Sequence, residues 1–405
     1  MSAPTVAPST AHQTQTRSWR AEVNRYATPD RSRSLLDIAT SVVPYVALLA
    51  AMYLLLGASV VLALTLAPVA AAFLLRTFVV FHDCTHGSLF ASKRANERLG
   101  TFLGLLLFTP FASWRHSHAI HHATAGDLDR RGVGDVPTLT VAEYQARGPR
   151  GRLAYRLFRH PLVMFGLGPI LSVVILPRLV PRGTRPRLRR SIIRTNVALA
   201  AIVAAACLLL GWWQYLVVQA PVAWIASSIG IYLFYVQHQF EDVYWENSDN
   251  WDYADAAIRG SSFLKLPRPL QYFTANIGFH HVHHLSARIP NYNLQRAHEE
   301  LGLFRGVPEL SIRDGMRATR LKLWDDDRRR LVTFAEARGT RSGGVVGGPS
   351  GDDPQGGPYA PREEHQPDQA VPVQVPLGIA IPAEEAEQNH AEGASCHGGE
   401  GLGSS

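Results

Sequence analysis

Long apolar runs separated by short breaks dominate the hydrophobic pattern of this chain. Four of them, each about 19 to 24 residues long, occupy residues 35–56, 58–81, 192–210 and 213–236. At a rise of ~1.5 Å per residue, a helix of this length crosses a hydrocarbon core ~30 Å thick. Glycine interrupts the pattern between the first two runs and again between the last two. The pattern predicts an all-α integral membrane protein with four transmembrane helices in two hairpins.

Buried helices of a soluble protein would also be apolar. Three of the four runs carry no charged side chain beyond their first few residues, which favours the membrane. Asp37 and Arg76 lie near run ends, where we expect polar side chains to reach the membrane interface.

Two shorter apolar runs, residues 99–112 and 161–176, contain Gly and Pro. Basic segments flank the spans: the first 34 residues contain five Arg, and residues 178–194 contain seven Arg and no acid. Since positive segments stay in the cytoplasm, a lone span at 161–176 would put these two segments on opposite sides. We therefore predict that both short runs are interfacial or re-entrant helices. Both termini, and a helical cap that holds the site, then face the cytoplasm at the cell membrane.

The ends of the chain differ from its centre. Residues 1–34 are polar, and we expect a cytoplasmic segment there without a signal peptide. Residues 35–335 form the predicted membrane domain. Residues 336–405 are rich in Gly, Pro, Glu and Gln, so we predict a disordered tail.

Charge and cysteine content narrow the class of protein. The net charge of +7 combines a tail of −8 with a body of about +15. A basic body suits nucleic acid, an anionic membrane or an acidic protein, and the apolar runs favour the membrane over nucleic acid. The three cysteines (Cys84, Cys207 and Cys396) are scattered, which argues against a disulfide framework and suits a reducing compartment.

Ten of the 17 histidines fall in three short windows. These windows read His-Asp-Cys-Thr-His from His82, His-Ser-His-Ala-Ile-His-His from His116, and His-His-Val-His-His from His280. On a helix, positions i, i+3 and i+4 share one face. Eight imidazoles should therefore project from three faces, and imidazole suits Fe, Zn, Cu or Ni. The eight are His82, His86, His118, His121, His122, His280, His283 and His284.

A lone histidine pair would be weak evidence for a metal. Packing eight neutral imidazoles together without a metal ion, however, would leave many buried nitrogens without partners. His238, two residues beyond the fourth apolar run, is either a ninth ligand or a polar interface residue. The three histidine windows and His238 all lie on the predicted cytoplasmic side, which favours the interpretation of His238 as a ninth ligand.

The order His-x-x-x-His, His-x-x-His-His and, after the second hairpin, His-x-x-His-His resembles the membrane fatty acid desaturase superfamily. The resemblance extends from about Leu35 to Glu300, and the residues flanking His238 and His280 look most like bacterial omega-6 (Δ12) or Δ5 acyl desaturases. It implies two non-haem irons, O2 as co-substrate, two external electrons per turnover and a cis double bond placed in an acyl chain. The implied ligands are the eight histidines above and His238.

The resemblance and the spacing also suggest neighbours of the ligands. Asp83, Asp127, Asp129, Glu241 and Asp242 are candidates to orient imidazoles. His116 and His281 fall at motif positions that need not be His, so they are expected beside the site or in solvent. Phe234 replaces an Asn found one turn before the ninth ligand in some members, and Asn276 is a possible substitute. Trp114 is assigned to packing or the interfacial belt.

Other functions share these features. Carotenoid ketolases and hydroxylases, sphingolipid desaturases and alkane hydroxylases belong to the same superfamily, and a metal receptor or transporter is a more distant alternative. Transporter histidines usually lie at mid-membrane, whereas these lie at span ends. The sequence shows no dinucleotide fingerprint, iron–sulfur cysteine group or haem-binding motif, so we expect a separate donor such as a ferredoxin with its reductase. Arg130 and Arg131 are candidate docking residues.

Overall fold

The structure is a computed structural model, and it describes residues 19–339. The predicted disordered tail is residues 336–405; from residue 340 on it lies outside the described residues, and its first four residues are helical instead. Residues 19–24 are helical. The α-helices that follow are, in chain order, α1 (Arg31–Leu56), α2 (Val60–Thr65), α3 (Ala67–His86), α4 (Lys93–Leu106), α5 (Phe111–Thr124), α6 (Val141–Ala146), α7 (Pro149–Phe158), α8 (Pro186–Leu210), α9 (Trp212–His238), α10 (Tyr253–Arg259), α11 (Arg268–Phe273), α12 (His280–Leu285), α13 (Asn291–Glu300), α14 (Ile312–Ala318) and α15 (Glu336–Gly339).

Four helical stretches are long and apolar enough to cross a membrane, as the sequence predicted. They are α1, the 27-residue stretch Val60–His86, α8 and α9. All four extend beyond the predicted runs, because polar residues at their ends continue the helix. Asp30 caps α1 by accepting a hydrogen bond from the backbone N–H of Arg33 at 2.9 Å.

The second long stretch is two helices joined end to end. α2 ends at Thr65 and α3 begins at Ala67, with Pro68 in its first turn. Proline has no backbone N–H, so it is tolerated in the first turn of a helix and not in its interior. α3 ends at Gly87, whose φ of 70° lies in the left-handed region that favours glycine. This glycine stops the helix directly after His86.

The run at residues 161–176 is an interrupted helix. It contains two π-helical segments, Leu162–Leu167 and Ile170–Ile175, followed by a 3-10 turn at Leu176–Arg178. Its axis is bent by 57° from α7, a geometry that fits a broken span or a re-entrant segment. The other short run falls largely within α4 and ends in the first turn of α5. Their predicted position relative to the membrane stays a prediction.

α3 lies at the centre of the long helices and packs against α1, α4 and α9. Its small residues Ala67, Ala70 and Ala71 are buried and let the neighbouring helices approach closely. Arg76 does not reach the interface as the sequence suggested. Its guanidinium lies 2.5 Å from the carboxylate of Asp37 on α1, and both side chains are buried. Opposite charges on facing helices pair more favourably than either could be buried alone.

Residues 87–185 and 239–339, here called the cap, carry the remaining elements and two small sheets. In the first sheet β1 (Leu139–Thr140) pairs in parallel with β4 (Leu323–Asp325), which pairs antiparallel with β5 (Arg330–Val332). In the second, β2 (Phe263–Leu264) is parallel to β3 (Glu309–Leu310). A 3-10 turn at Gly302–Phe304 follows α13. The cap meets the ends of α3 and α9, where the histidines lie.

Candidate metal centre

Two membrane-type helices end in histidine. His82 and His86 lie in the last two turns of α3, four residues apart and therefore on one face, and His238 is the last residue of α9. α9 packs against α3. The packing of two apolar helices thus brings three imidazoles from distant parts of the sequence to one place at the edge of the cap.

The other histidines come from two cap helices. α5 contributes three, and the six-residue α12 contributes three more and is buried along its whole length. A six-residue helix has little stability of its own, so packing of the side chains around it fixes its position. Val282 and Leu285 on α12 pack with Phe279 and Ile289 in an apolar cluster behind the histidines.

Nine histidines form two compact groups, and they are the nine that the sequence suggested as ligands. The first group contains five imidazoles, with Nε2–Nε2 distances of 2.9 Å (His82–His118), 3.3 Å (His82–His86), 3.1 Å (His118–His122) and 3.0 Å (His122–His283). The second group contains four imidazoles, with distances of 2.9 Å (His238–His280) and 3.2 Å (His121–His284). Within each group the candidate ligand atoms all lie within 4.8 Å of one another.

The two groups are in contact. The rings of His122, from the first group, and His284, from the second, stack with centroids 4.2 Å apart. Consecutive residues of one helix serve different groups in both cases: His121 and His122 on α5, and His283 and His284 on α12. Each of these helices therefore contributes imidazoles to both groups.

The nitrogen arrangement tests whether the groups fit metal ions. A neutral imidazole has one N–H and one lone pair, yet the Nε2 atoms face one another. The buried Nδ1 atoms of His82, His122, His280 and His283 have no hydrogen-bond partner among the described residues. With metal–nitrogen bonds of ~2.1 Å, ligands at right angles lie ~3.0 Å apart and opposite ligands ~4.2 Å apart. The observed separations match a shared cation at the centre of each group.

Five cap histidines of the two groups are held neutral by their surroundings. Burial lowers the pKa of His118, His122, His280, His283 and His284 well below the usual range, and neighbouring imidazoles lower it further. A neutral imidazole keeps the lone pair that a metal needs. The groups therefore offer donors for transition metals at ordinary pH.

Two ligand candidates have hydrogen-bond partners that fix their rings. His121 Nδ1 is in hydrogen-bond contact with the carboxylate of Asp135, and His238 Nδ1 lies 3.2 Å from the carbonyl oxygen of Gly260. A Cβ on Gly134 would lie 2.8 Å from the Cβ of His121, so glycine is needed for the loop to come this close. Asp135 had no signal in the sequence, because no local pattern connects it to α5.

Asp83 lies beside His82 but bonds elsewhere. Its Oδ1 is 3.7 Å from His82 Nδ1, too long for a hydrogen bond. Its Oδ2 accepts hydrogen bonds from the backbone N–H of Asn291 at 2.8 Å and from Asn291 Nδ2 at 3.0 Å. The same amide donates to Asp37 at 2.7 Å, so Asn291 links α1, α3 and α13 directly behind the site. Asn291 had no signal in the sequence.

Most of the other suggested neighbours contact different partners. The carboxylate of Asp127 accepts hydrogen bonds from Ser248 and Arg130, and that of Asp129 accepts one from the backbone N–H of Ser248. The carboxylate of Glu241 accepts from Arg330, and Asp242 is exposed. His116 is partly exposed. His281 is fully buried, with Nε2 2.9 Å from Nδ1 of His298, and belongs to neither histidine group.

Asn276 and Phe234 also differ in position. Asn276 has a φ of 60°, and its side chain bonds Gln271 and the carbonyl oxygen of Asn291, so it does not replace the Asn of the resembled motif. The ring of Phe234 lies 5.0 Å from that of His121 and 5.3 Å from that of His238. An apolar ring therefore covers the second group where that motif has an amide.

An aromatic wall borders the first group. Trp114 stacks on His118 with ring centroids 4.4 Å apart and meets the edges of Phe78 and Phe81 at 5.5 and 5.4 Å. The role in packing expected for Trp114 is thus observed, with the metal-site candidates as one of its partners. Such a wall excludes water from one side of the histidines.

Comparison with known proteins agrees with this arrangement. A model of the fatty acid desaturase family matches residues 58–309, which include every histidine of both groups. A protein of Bacillus subtilis named fatty acid desaturase is 46% identical over 313 residues, covering 77% of this chain and 89% of that protein.

Two relatives from Synechocystis carry more specific names. One, an sn-1 oleoyl-lipid 12-desaturase, is 30% identical, and the match covers 55% of this chain and 64% of that protein. The other, an sn-1 acyl-lipid omega-3 desaturase (ferredoxin), is 27% identical, with 55% and 63% covered. The chain thus spans less than two thirds of the length of these relatives. The match to the family and the high identity to the Bacillus protein show that this chain belongs to the fatty acid desaturase family.

Proposed function

We propose that this protein is an O2-dependent acyl-lipid desaturase that uses two histidine-bound iron ions and external electrons to introduce a cis double bond. The observation that supports the proposal best is the pair of converging imidazole groups, five and four strong, in a chain of this family. The lipid names of the cyanobacterial relatives support an acyl chain as the substrate.

The residues proposed to hold the irons are the nine histidines of the two groups. Imidazole is a suitable ligand for iron, and an all-nitrogen set leaves the ion charge uncompensated and available to a small ligand. Iron in these positions would activate O2 for oxidation of an unactivated methylene pair, a chemistry that no side chain can supply. Asp135 would hold His121 in the tautomer whose Nε2 lone pair faces the second group.

The proposed reaction converts two neighbouring methylenes and O2 into a double bond and two waters. Two neighbouring methylenes lose one hydrogen each, and the bond between their carbons becomes double. O2 accepts four electrons, two from the substrate and two from the donor, and takes up two protons from solvent, so that two waters form. The chain's own task is to hold one methylene pair beside the groups and to exclude bulk water, to which Trp114 and Phe234 contribute.

The electron donor and the location follow as parts of the same proposal. A ferredoxin with its reductase fits the printed name of one relative and the electrons that the reaction requires. The arginines at the start of α1 and those at 178–194 favour a cytoplasmic cap at the cell membrane. Residues 1–34, 35–335 and 336–405 are the proposed cytoplasmic segment, membrane domain and tail.

Expression in a host that lacks the product, followed by gas chromatography of its lipids, tests the function. We expect a new unsaturated acyl chain that requires O2, and purified protein with about two irons per chain. His82→Ala, His121→Ala and His283→Ala should each abolish the product while the protein still inserts into the membrane. His116→Ala serves as the matched control and should stay active. Full activity of any of the three variants would remove that residue from the ligand set.

A further inference from the structure

A groove with a basic lining lies in the cap between α7, α15 and the first sheet. It consists of two adjoining hollows of about 380 and 220 Å³, which share Arg156 and Arg338. Among residues 19–339, no carboxylate and none of the nine clustered histidines lines either hollow. The charged or titratable side chains that line it are Arg152, Arg156, Arg159, His160, Lys322 and Arg338.

A buried arginine forms the base of this groove. Arg159 is fully buried, and it donates to the carbonyl oxygen of Pro137 at 2.7 Å, to Gln239 Oε1 at 2.9 Å and to Tyr235 Oη at 3.1 Å. All its hydrogen-bond acceptors are neutral, and its Nε has no partner among residues 19–339. A buried guanidinium without a carboxylate is costly unless an anion compensates it.

A second buried cation lies beside it. Lys322 is 6% exposed and donates to the carbonyl oxygens of Arg159, at 2.7 Å, and of Thr319. Burial and the charge of Arg159 lower the pKa of Lys322 to about 7. Burial is the main cause, because it penalises the charged lysine, and the neighbouring guanidinium adds to the effect.

The rim supplies arginines that can reach an anion. Arg156 donates from Nε to Tyr144 Oη at 2.5 Å and lies over the ring of Phe334, 5.3 Å from its centroid, which fixes its side chain. Arg152, Arg156 and Arg338 form none of the ion pairs found within the described chain. The planar guanidinium suits bidentate binding of phosphate oxygens.

The surroundings of the groove are apolar and exposed. On α7 and just beyond it, Leu153, Leu157 and Leu162 are 58%, 55% and 76% exposed, next to the rim arginines. Leucines and arginines alternating around one helix are typical of a helix that lies in a membrane surface. An occupant of the groove would thus have its charged part at the arginines and apolar part at the leucines.

We propose that this groove binds the phosphate of an anionic phospholipid, with Arg152, Arg156 and Arg338 on the headgroup and the exposed leucines beside its acyl chains. Arg159 connects the site to the end of α9, because it bonds Tyr235 and Gln239, and Gln239 directly follows His238. A bound lipid would therefore stabilise the helix end that carries a ligand candidate. The proposal does not depend on the desaturase reaction.

Native mass spectrometry of the purified full-length protein in detergent tests the proposal. Phosphatidylglycerol is the probe, and phosphatidylcholine is the zwitterionic comparison. We expect one retained phosphatidylglycerol, bound at least about tenfold more weakly by Arg152→Gln/Arg338→Gln, because each lost charged contact weakens binding. The matched control Arg150→Gln/Arg313→Gln removes the same charge from exposed positions outside the groove and should bind as wild type.

Other outcomes would overturn the proposal. Equal phosphatidylglycerol binding by the Arg152→Gln/Arg338→Gln variant and by wild type would contradict it. If the double variant unfolds, Arg152→Glu, at a partly exposed position, repeats the test. Displacement of the lipid by excess inorganic phosphate would assign the groove to a soluble phosphate compound. Lipid binding that appears only in a chain ending at Gly339 would mean that the acidic segment 340–405 is the occupant of the groove in the full-length protein.

Discussion

At the scale of single residues, the contact between Asp135 and His121 has a direct chemical consequence. A carboxylate beside Nδ1 favours the tautomer of His121 that carries its hydrogen there, and this tautomer leaves the Nε2 lone pair facing the second histidine group. Asp135→Asn keeps the size and removes the charge. We expect it to lower iron affinity about 10- to 100-fold with little change in unfolding temperature. Iron content measured by mass spectrometry after dialysis against graded chelator checks this.

Asp129→Asn is the control for that experiment. Asp129 lies on the same loop and is exposed, and its carboxylate accepts from the N–H of Ser248 instead of a histidine. It should retain iron as wild type does. Equal iron affinity in Asp135→Asn and Asp129→Asn would show that the Asp135 contact does not orient His121.

His281 and His283 are two residues apart and should behave differently. His281 is buried against His298 and Phe304, whereas His283 belongs to the first histidine group. His281→Ala leaves a cavity in a packed cluster, so we expect a loss of about 2–3 kcal/mol in stability with iron content retained. His283→Ala should lose iron. Thermal unfolding and iron content measured on both variants separate the two roles, and iron loss in His281→Ala would show that the third cluster was divided wrongly.

The nine histidines suggested by the sequence lie together in the structure, whereas most of the neighbours suggested for them contact other residues. Spacing of i, i+3 and i+4 is a local property, so the shared faces of His118, His121 and His122 can be deduced without a structure. Asp135 and Asn291 reach the site through loop and helix packing, which local pattern does not encode. Asp127 and Glu241 were plausible partners of the histidines because they are close in sequence. In the structure their carboxylates bond Arg130 and Arg330 instead.

At the scale of helices, the ion pair between Asp37 and Arg76 joins α1 to α3. Both side chains are buried, and Asn291 bonds the second oxygen of Asp37. Removing one member leaves the other charge buried, so Arg76→Met should cost about 3–5 kcal/mol. The unfolding temperature of detergent-solubilised protein measures this. Arg31→Met, at the exposed start of α1, should have almost no effect.

The double variant Asp37→Asn/Arg76→Met distinguishes pairing from packing. Because it leaves no buried charge, it should be more stable than Arg76→Met alone. A double variant less stable than both single variants would mean that the two side chains contribute mainly by filling space.

The helices themselves could be predicted only in part. Run length gave the four long apolar helices, since a membrane span needs about 20 apolar residues. The junction between α2 and α3 depends on Pro68. The π-helical segments after α7 depend on the packing of an apolar run that contains Gly and Pro. Such breaks change the backbone without changing mean hydropathy.

At the scale of the whole molecule, the long helices and the cap meet at the candidate metal centre. α3 and α9 deliver three histidines from the membrane-type helices, and α5 and α12 deliver six from the cap. Neither part contains a complete histidine group. The site therefore exists only when the helix pairs and the cap are assembled together, which explains why its candidate ligands extend over 200 residues of sequence.

The approach of an electron donor is a property of the same surface. The sequence treated Arg130 and Arg131 alike, but the structure separates them. The side chain of Arg130 is 49% exposed beside Asp127 and Trp251, whereas that of Arg131 is 16% exposed and paired with Glu143. Of these two arginines, only Arg130 is placed to attract an acidic donor such as the ferredoxin proposed above, and Asp127 offsets part of its charge.

We therefore predict that turnover with reduced ferredoxin at subsaturating concentration falls as salt rises, since the Debye length shortens from about 30 Å at 0.01 M to about 10 Å at 0.1 M. Arg130→Gln should raise the KM for ferredoxin roughly two- to fivefold at low salt and leave kcat unchanged, because one exposed charge contributes about 0.5–1 kcal/mol to encounter. Arg131→Gln is the matched comparison and should alter stability more than KM. A turnover rate that does not change with salt, together with an unchanged KM in Arg130→Gln, would contradict the prediction. Arg130 would then serve only its ion pair with Asp127, and the donor would dock on another face.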